Sequence, residues 1–204
     1  MGSVTQNKAY YSQYDWCHGG IEWSTPWGST QAMWNCSVAS RIRDYLPAAR
    51  VIEIGAGHGR IAQHLLRQTS ERLYLFDIME SCVKACTKTF SKDAKVFCAQ
   101  NDGMSLPGIE DNSIDLIVSF YSLVHADYDT IVAYTSEFNR VLGEDGVVFL
   151  HHSNAGIYFD EQTALTDKRM RLLEMYRDTS MTAQRMSKIA DQHNLTCIHQ
   201  ECIN

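Results

Sequence analysis

Three histidines are the side chains of this sequence best suited to accept a proton. His125 follows one short apolar run, and the adjacent pair His151 and His152 lies at the end of another. An imidazole with an ordinary pKa of about 6.5 is largely neutral near pH 7 and can act as a general base. Neighbouring residues of a strand point to opposite faces, so only one of the pair should face a shared pocket. We expect His125 first, then His152, and then His151 as catalytic bases.

A glycine-spaced turn between a strand and a helix indicates a nucleotide-cofactor site. The segment reads Val51-Ile-Glu-Ile-Gly-Ala-Gly-His-Gly-Arg60. Its first four residues read as a buried parallel strand, and the glycines remove side chains that would block a ligand from the backbone. The helix that follows offers free N–H groups at its start. The loop alone is a weak signal, so the residues at the neighbouring strand ends must support it.

Carboxylates end the next two apolar runs. Asp77 lies 22 positions after Gly55, the spacing at which an acid reaches a cofactor ribose. Asp102 follows the third run and can accept a hydrogen bond from an exocyclic amine. The alternatives are a solvated acid at the end of a strand for Asp77 and a turn-forming Asn-Asp-Gly for Asp102.

Alternating strands and helices must position these residues. Strands are predicted at 51–54, 73–77, 95–99, 114–120, 147–151 and 195–202, and helices after the glycine loop and at 81–90, 131–142, 160–178 and 181–193, with a turn at 143–146. This order predicts an α/β fold: a doubly wound, mainly parallel sheet with helices on both faces and a ligand crevice at the carboxyl ends of its strands. We expect one domain over 1–204, with an N-terminal lid segment at 1–35, a cofactor-binding core at 45–155 and a helical insert at 156–180 near the acceptor site.

Composition excludes several functions. The 18 basic residues are fewer than the 24 acidic ones and form no cluster, which argues against nucleic acid as a partner. No stretch approaches the roughly 20 apolar residues that cross a bilayer, so no membrane association is expected. The seven cysteines are odd in number and lack a C-x-x-C pair, which favours reduced thiols in the cytoplasm. Cys82 and Cys86 are expected in the core rather than in a zinc site.

As a set, these motifs resemble the class I S-adenosylmethionine-dependent methyltransferases over about residues 45–155. Glu53 to Gly59 is similar to their first motif, and Ser113 to Ser119 to their fourth strand. The spacing Gly-x-Gly-x-Gly also differs from the Gly-x-Gly-x-x-Gly of dehydrogenases. The resemblance implies a Rossmann-like sheet with S-adenosylmethionine as cofactor, Asp77 on its ribose and Asp102 on its adenine. The residues implied to bind it are Glu53, Gly55, Ala56, Gly57, Gly59, Asp77, Ile78, Asn101, Asp102, Gly103, Ser119 and Tyr121.

A narrower resemblance points to a bacterial branch of sugar and glycan O-methyltransferases. It is carried by Gly20 to Gly28, Ser122 to Ala126 and Phe149 to Asn154. That branch has Asp where this chain has Tyr121, so the role of that carboxylate as base or metal ligand does not carry over. The family also has seven strands where six are predicted here, so either the sequence is trimmed before the seventh or that strand is missing.

The N-terminal aromatic residues have two interpretations. Trp16, Trp23 and Trp27 occur among glycines, and aromatic faces stack on sugar rings and attract cations such as a sulfonium. They form either a lid over both ligands or a clamp that holds the segment to the core. Glu22 is expected to orient a substrate hydroxyl or the cofactor amine, and Asn154 to contact substrate. Two histidines with Asn154 do not have the spacing of a metal site, and no metal is expected.

Three functions remain open from the sequence. The first is transfer of a methyl group from S-adenosylmethionine to a hydroxyl of a sugar, nucleotide-sugar or glycosylated small molecule. The second is N-methylation of a small metabolite, which needs alignment but no base. The third is a non-catalytic cofactor-binding module that acts through partners. A homodimer is left open, and neither the acceptor nor its regiochemistry is readable.

Overall fold

A parallel sheet packed between helices forms the centre of the computed structural model, which describes residues 2–159, 167–169 and 176–203. Five strands are present within these residues: β1 Ala48–Ile54, β2 Thr69–Asp77, β3 Val96–Gln100, β4 Ile114–Ser119 and β5 Leu142–Leu150. The α-helices among the same residues are α1 Val4–Ser12, α2 Thr30–Met33, α3 Ser40–Ile42, α4 Ala62–Leu65, α5 Glu80–Thr89, α6 Tyr128–Val141 and α7 Ala183–Gln192. A π-helical stretch, Trp34–Ala39, joins α2 to α3.

The sheet has the order β3-β2-β1-β4-β5, and every neighbouring pair is parallel. Val51 of β1 pairs with Leu73 on one side and with Leu116 on the other. The chain therefore winds first away from β1 in one direction and then in the other, which places a crevice beyond the carboxyl ends of β1 and β4. The prediction of a doubly wound parallel sheet is confirmed.

Two apolar layers cover the two faces of the sheet. Val51 packs with Met33, Val38 and Leu65 on the face covered by α2 to α4. Ile52 packs on the other face with Tyr134 and Phe138 of α6, Met181 and Ile189. Because consecutive residues of β1 enter opposite layers, this strand is apolar without alternation, as expected for a strand buried on both faces. Cys82 and Cys86 are buried core residues, as expected.

The predicted strand at 195–202 is wrong, because these residues pair with no strand in the described part of the chain. They are largely exposed, and Ile198 has 66% of its surface accessible. The apolar residues of the segment, Leu195, Cys197, Ile198 and Cys202, do not keep a two-residue alternation. An extended strand would therefore have no single apolar face to bury.

The predicted turn at 143–146 is also wrong, since these residues lie inside β5. Leu142 pairs with Ile114, and Val147 pairs with Leu116. The register of the two strands therefore shifts between these pairs, and the extra residues of β5 lie in this irregularity. A side chain at Gly146 would come within 2.8 Å of the carbonyl oxygen of Ile114. Glycine thus allows the strand to bend closely past its neighbour. The predicted helix at 160–178 and the insert at 156–180 fall largely on 160–166 and 170–175, outside the described residues.

An N-terminal helix, α1, lies across the carboxyl edge of the sheet, and the sequence reasoning missed it. Ser3 and Gln6 form a capping box at its start, and this S-x-x-Q pattern was the available signal. Asn7 of α1 donates from Nδ2 to the carbonyl of His125 at 3.0 Å, and Asp127 donates its N–H to the carbonyl of Gly2. These long-range bonds hold the helix over the crevice. In the part of the chain that the structure describes, no helix is long and apolar enough to span a bilayer.

Candidate functional site

A cleft opens where the carboxyl ends of β1, β2 and β4 meet the N-terminal segment. Several residues predicted to bind the cofactor or form the lid line it: Trp16, Trp23, Gly55, Gly57, Asp77, Ile78, Asn101, Gly103 and Tyr121. Sequence reasoning missed other lining residues: Val4, Asn7, Tyr11, Ile54, Met79, Ser122, Leu123, Ala126, Thr130 and Tyr134. Most of these come from α1 and from the segment between β4 and α6, whose closeness to the glycine loop is a consequence of the fold.

The glycine loop forms the floor of the cleft. Gly55 has a φ of 74°, and a Cβ there would lie 1.8 Å from Oγ of Ser122. Gly57 has a φ of 55° and also lines the cleft. Gly59 has a different role, because it leaves room for the ring of Phe90 at the end of α5. A Cβ added at Gly59 would lie 2.6 Å from that ring. The loop therefore needs glycine for packing as well as for access to a ligand.

Asp77 ends β2 beside this loop and is 9% exposed. Its Oδ2 accepts the N–H of Gly57, and its Oδ1 accepts the N–H of Met79, each at 2.8 Å. Burial raises the pKa of this carboxyl, and the backbone hydrogen bonds lower it in part. The carboxylate is thus fixed at the edge of the cleft, with lone pairs left for further donors.

Asp102, the second predicted acid, is exposed and turns toward its own loop. Its Oδ1 accepts the N–H groups of Met104 and Ser105, each at 2.8 Å. The residue before it, Asn101, lines the cleft and donates from Nδ2 to the carbonyl of Ser105 and to the Tyr134 hydroxyl. A role for Asp102 at adenine stays a prediction, while the Asn101 amide occupies the cleft wall.

Three buried oxygen atoms in the wall of the cleft have no hydrogen-bond partner among the described residues. They are Oδ1 of Asn7, Oδ1 of Asn101 and Oγ1 of Thr130. Leaving such atoms unsatisfied costs about 1–3 kcal/mol each. The residues that carry these atoms line the cleft, so a small molecule with amino and hydroxyl donors would suit this wall.

Beneath the loop, Glu53 and Arg60 form a buried charged layer. Burial raises the pKa of Glu53 well above its usual range, an effect that the nearby Arg60 charge opposes. Arg60 donates from Nη1 to Oγ of Ser24, and its guanidinium lies 5.9 Å from the ring centroids of both Trp23 and Tyr121. Arg60 thereby ties the N-terminal segment to the loop.

The N-terminal tryptophans pack on the site from above. Trp16 stacks on His58 of the glycine loop with ring centroids 4.8 Å apart, and Trp23 lies 5.3 Å from Trp16. Trp27 instead packs against Phe120 and Tyr121. Trp16 and Trp23 line the cleft and also pack the segment onto the core, and a lid over bound ligands stays a prediction.

One end of the cleft is formed by Tyr121, which follows β4 with a φ of 63°. A left-handed conformation is strained for an aromatic residue and occurs most often at functional sites. The guanidinium of Arg177 lies 5.4 Å from the Tyr121 ring centroid. His151 accepts the Tyr121 N–H at Nδ1, 3.4 Å away, and stacks on Phe120 at 4.9 Å.

His125 lies beside this end of the cleft and is 8% exposed. Its ring packs edge-on against Tyr11 at 6.2 Å, and its buried Nδ1 has no partner within the described residues. Burial, followed by the Arg177 charge, lowers its pKa to about 4. His125 is therefore neutral at pH 7, with a free ring nitrogen near the cleft.

The two adjacent histidines point to different surroundings, and their expected roles as bases stay predictions. His151 faces Phe120 and Tyr121, and burial lowers its pKa to about 3. His152 points away: Nδ1 contacts the carbonyl of Ser153 at 2.7 Å, and Nε2 contacts the Gln200 amide at 3.3 Å. Adjacent strand residues do face opposite ways, but only the fold determines which one faces the cleft.

Four other predicted site residues serve local structure. Ser119 donates to the carbonyl of Ile54 at 3.2 Å, and Asn154 accepts the N–H of Ala183 at the start of α7. Glu22 accepts a short hydrogen bond from the Tyr14 hydroxyl. Ala56 is buried and donates its N–H to the carbonyl of Phe76. Their roles toward a ligand stay predictions. Among the described residues, no group of three or more His, Cys, Asp or Glu side chains is arranged to hold a metal ion.

Known proteins are similar to the part of the chain that carries this site. Residues 51–146 match the family model described as a methyltransferase domain. A curated relative, the mitochondrial arginine-hydroxylase NDUFAF5 of Danio rerio, is 32% identical over 113 residues. That alignment covers 54% of this chain and 33% of the relative, so the chain spans about a third of that protein's length.

Solved structures share the fold. A candidate sarcosine dimethylglycine methyltransferase from Galdieria sulphuraria superposes with a TM-score of 0.65 at 18% identity, covering 81% of this chain and 61% of that one. The YcgJ protein of Bacillus subtilis superposes with a TM-score of 0.55 at 22% identity, covering 71% and 61%. The fold is the Rossmann-like methyltransferase fold, and the segment with the glycine loop is similar to a methyltransferase domain.

The cofactor of this class of domain is S-adenosylmethionine, and the residues present fit it. The molecule carries ribose hydroxyls, an exocyclic amine and an amino group, which are the donors that the unpartnered oxygens and Asp77 lack. Asp77 suits the ribose, and the free Oδ1 of Asn101 suits an amine donor. The aromatic rings of Tyr11, Trp16 and Trp23 suit a sulfonium cation.

Proposed function

We propose that this protein is an S-adenosylmethionine-dependent methyltransferase whose acceptor is a hydroxyl of a sugar, nucleotide-sugar or glycosylated small molecule. The observation that carries the proposal is the neutral ring of His125, which packs against Tyr11 of the cleft wall and whose buried Nδ1 has no partner among the described residues. A hydroxyl acceptor has a proton to lose, whereas transfer to a neutral amine requires alignment alone. The narrower sequence resemblance to sugar O-methyltransferases supports the same acceptor class.

When bound, the cofactor would supply an electrophilic methyl group on a sulfonium sulfur, and the thioether S-adenosylhomocysteine would be the leaving group when the hydroxyl oxygen bonds to that methyl carbon. His125 accepts the proton of the attacking hydroxyl at Nδ1. A pKa of about 4 makes this imidazole a weak base, but the hydroxyl proton becomes strongly acidic as the oxygen bonds to carbon. Tyr11, Trp16 and Trp23 exclude water from the reacting atoms and hold the acceptor over the loop.

The first experiment separates cofactor binding from chemistry. Calorimetric titration with S-adenosylmethionine and S-adenosylhomocysteine should show micromolar binding to the wild-type protein. Absence of binding to a folded protein would overturn the proposal. With binding established, release of S-adenosylhomocysteine is measured against a panel of sugars and nucleotide-sugars.

The base is then tested by His125→Ala with His152→Ala as the matched control. Removing a general base should lower kcat about 100-fold or more, with cofactor affinity unchanged. His152→Ala, which removes the ring-nitrogen contacts to Ser153 and Gln200, should keep nearly full activity. If His125→Ala methylates its acceptor at the wild-type rate, the hydroxyl acceptor is wrong.

Small-molecule N-methylation is the second candidate, favoured by the aromatic walls. Arg60 already lies over the Trp23 and Tyr121 rings, which shows that these faces accept a cation. An amine methyltransferase should use amines in the same assay and tolerate His125→Ala. The acceptor panel therefore includes glycine and sarcosine derivatives beside the sugars.

A further inference from the structure

Arg177 differs from the other arginines near the cleft. It is half-buried, and its guanidinium lies over the Tyr121 ring that closes one end of the site. Its Nη1 donates to the carbonyl of Tyr176 at 2.9 Å. Neither Nε nor Nη2 has a hydrogen-bond partner within the described residues, and no carboxylate there pairs with this charge.

Two other arginines near the sheet have carboxylates close to their guanidinium groups. Arg140 pairs with Glu137 and Asp111 and also donates to backbone carbonyls. Arg60 sits above buried Glu53, whose charge acts on it. Among the described residues, Arg177 contacts one aromatic ring and donates to one carbonyl. Its guanidinium therefore keeps a planar pair of donors that can bind an oxyanion in two places.

The segment that carries Arg177 is anchored to the catalytic end of the cleft. The next residue, Asp178, donates its N–H to the carbonyl of Val124 at 3.2 Å. Ser153 donates to the carbonyl of Asp178. These bonds join the Arg177 backbone to the segments that carry His125 and His151, so the charge is held beside both imidazoles.

Resting on the proposed transfer to a hydroxyl, we infer that Arg177 binds an oxyanion of the acceptor and thereby delivers its hydroxyl to His125. The acceptor class is then a hydroxylated molecule with a phosphate or carboxylate group, rather than a neutral sugar. The unpartnered Nδ1 of the buried His125 ring and the free donors of Arg177 would bind two ends of the same molecule.

Electrostatics at the site agree with an anionic acceptor. Burial is the largest cause of the lowered pKa of His125 and of His151, and the Arg177 charge is the next cause at both. An anion on Arg177 offsets that charge. Binding of the acceptor would therefore increase the basicity of the imidazole that must take its proton.

The test compares three probes on protein saturated with S-adenosylhomocysteine. Calorimetry measures binding of α-D-glucose 1-phosphate, D-glucuronate and D-glucose, which differ in a phosphate, a carboxylate and no charge. The wild type should bind at least one anionic probe about tenfold or more tightly than glucose, and the stronger of the two identifies the oxyanion. Equal binding of all three, or binding of none, overturns the inference.

Two Arg177 variants and one control variant test whether the preference for an anionic probe depends on Arg177. Arg177→Gln should abolish the preference for the anion, and Arg177→Lys should retain part of it, because lysine keeps the charge but not the fork. Arg185→Gln removes an exposed arginine of α7 and should match the wild type. An anion preference that survives Arg177→Gln contradicts the inference.

Failure of this inference is distinguishable from failure of the proposed function. The same variants are titrated with S-adenosylhomocysteine alone, which reports on the fold and the cofactor site. Loss of the anion preference with unchanged cofactor affinity supports Arg177 as an acceptor anchor. Absence of cofactor binding in the wild type would instead contradict the methyltransferase proposal itself.

Discussion

The two ends of the cleft are built in different ways. The cofactor end is formed mainly by Gly55, Gly57 and Asp77, which lie close in sequence and are joined by backbone hydrogen bonds. The end proposed to receive the acceptor is lined by Tyr11, and His125, His151 and Arg177 lie near it, all from segments that are far apart in sequence. A local motif can specify the first, whereas the second exists only after the chain has folded.

Their electrostatics also differ. At the cofactor end, a carboxylate is held by backbone N–H groups, and burial raises its pKa. At the proposed acceptor end, burial lowers the pKa of two imidazoles, and the nearby Arg177 guanidinium pairs with no carboxylate among the described residues. The cofactor end therefore provides fixed acceptors for hydroxyl and amino groups. Under the proposed function, the acceptor end provides neutral bases beside a cation, which would suit an anionic acceptor.

The largest effect is expected from Gly55→Ala. Its Cβ would lie 1.8 Å from Oγ and 2.3 Å from Cβ of Ser122, at a φ of 74°. We expect cofactor affinity to fall about 100-fold or more, with a loss of stability of a few kcal/mol. Gly108→Ala is the matched control, because φ is 77° there but no atom lies within 4 Å of the added Cβ. Calorimetry and urea unfolding measure both variants, and equal losses in the two would show that backbone conformation alone matters.

The next largest effect is a difference in cofactor affinity between variants of Asp77 and Asp102, the two acids at neighbouring strand ends. Asp77→Asn should weaken S-adenosylhomocysteine binding about 10- to 100-fold, the value of a charged hydrogen bond. Asp102→Asn should change it less than about threefold, since Asp102 bonds to its own loop. Titration of both variants decides the assignment. A larger loss for Asp102→Asn would return the adenine contact to the residue that the sequence favoured.

A pH dependence of stability should reveal the buried imidazole. The pKa of His125 is lowered to about 4 from an unfolded value of about 6.5. Above pH 6.5 both states are neutral, and as the pH falls toward 4 only the unfolded state takes up the proton. The native state should therefore lose about 2 kcal/mol between pH 7 and pH 5 through this residue.

Urea unfolding of the wild type and of His125→Gln at the two pH values isolates this contribution. The variant should show the smaller decrease in the free energy of unfolding between pH 7 and pH 5. Asp77, with a raised pKa, acts in the opposite direction, because its native carboxyl binds a proton earlier as the pH falls. An identical pH dependence in both proteins would mean that His125 is not held neutral.

The smallest effect distinguishes the adjacent histidines. His151→Ala removes the acceptor for the Tyr121 N–H and the ring stacked on Phe120, and kcat/KM should fall about tenfold. His152→Ala should leave kcat/KM within about twofold, as its contacts are to Ser153 and Gln200. Steady-state kinetics with the best acceptor compare the two. The reverse order would show that His152 reaches the substrate.

The sequence predicted most of the sheet because its strands carry strong local signals. Val51 to Ile54 and Leu73 to Asp77 lie within β1 and β2. Helix α7 was also predicted close to its observed bounds. The error at 195–202 arose because a short mixed segment was read as a strand although it had no apolar face to bury. The missed α1 carries little amphipathic pattern, since it is held by capping and by long-range bonds rather than by a buried stripe.

The sequence by itself determined the parallel fold, the glycine loop and the acid that follows the second strand. Each depends on residues within one strand-turn-helix unit, where spacing fixes geometry. Only the tertiary structure decided that His151 rather than His152 faces Tyr121, that Asn101 rather than Asp102 lines the cleft, and that Tyr11 and Arg177 lie beside His125. Those choices depend on packing between segments distant in sequence, and no local pattern encodes the direction in which a side chain turns once its strand has ended.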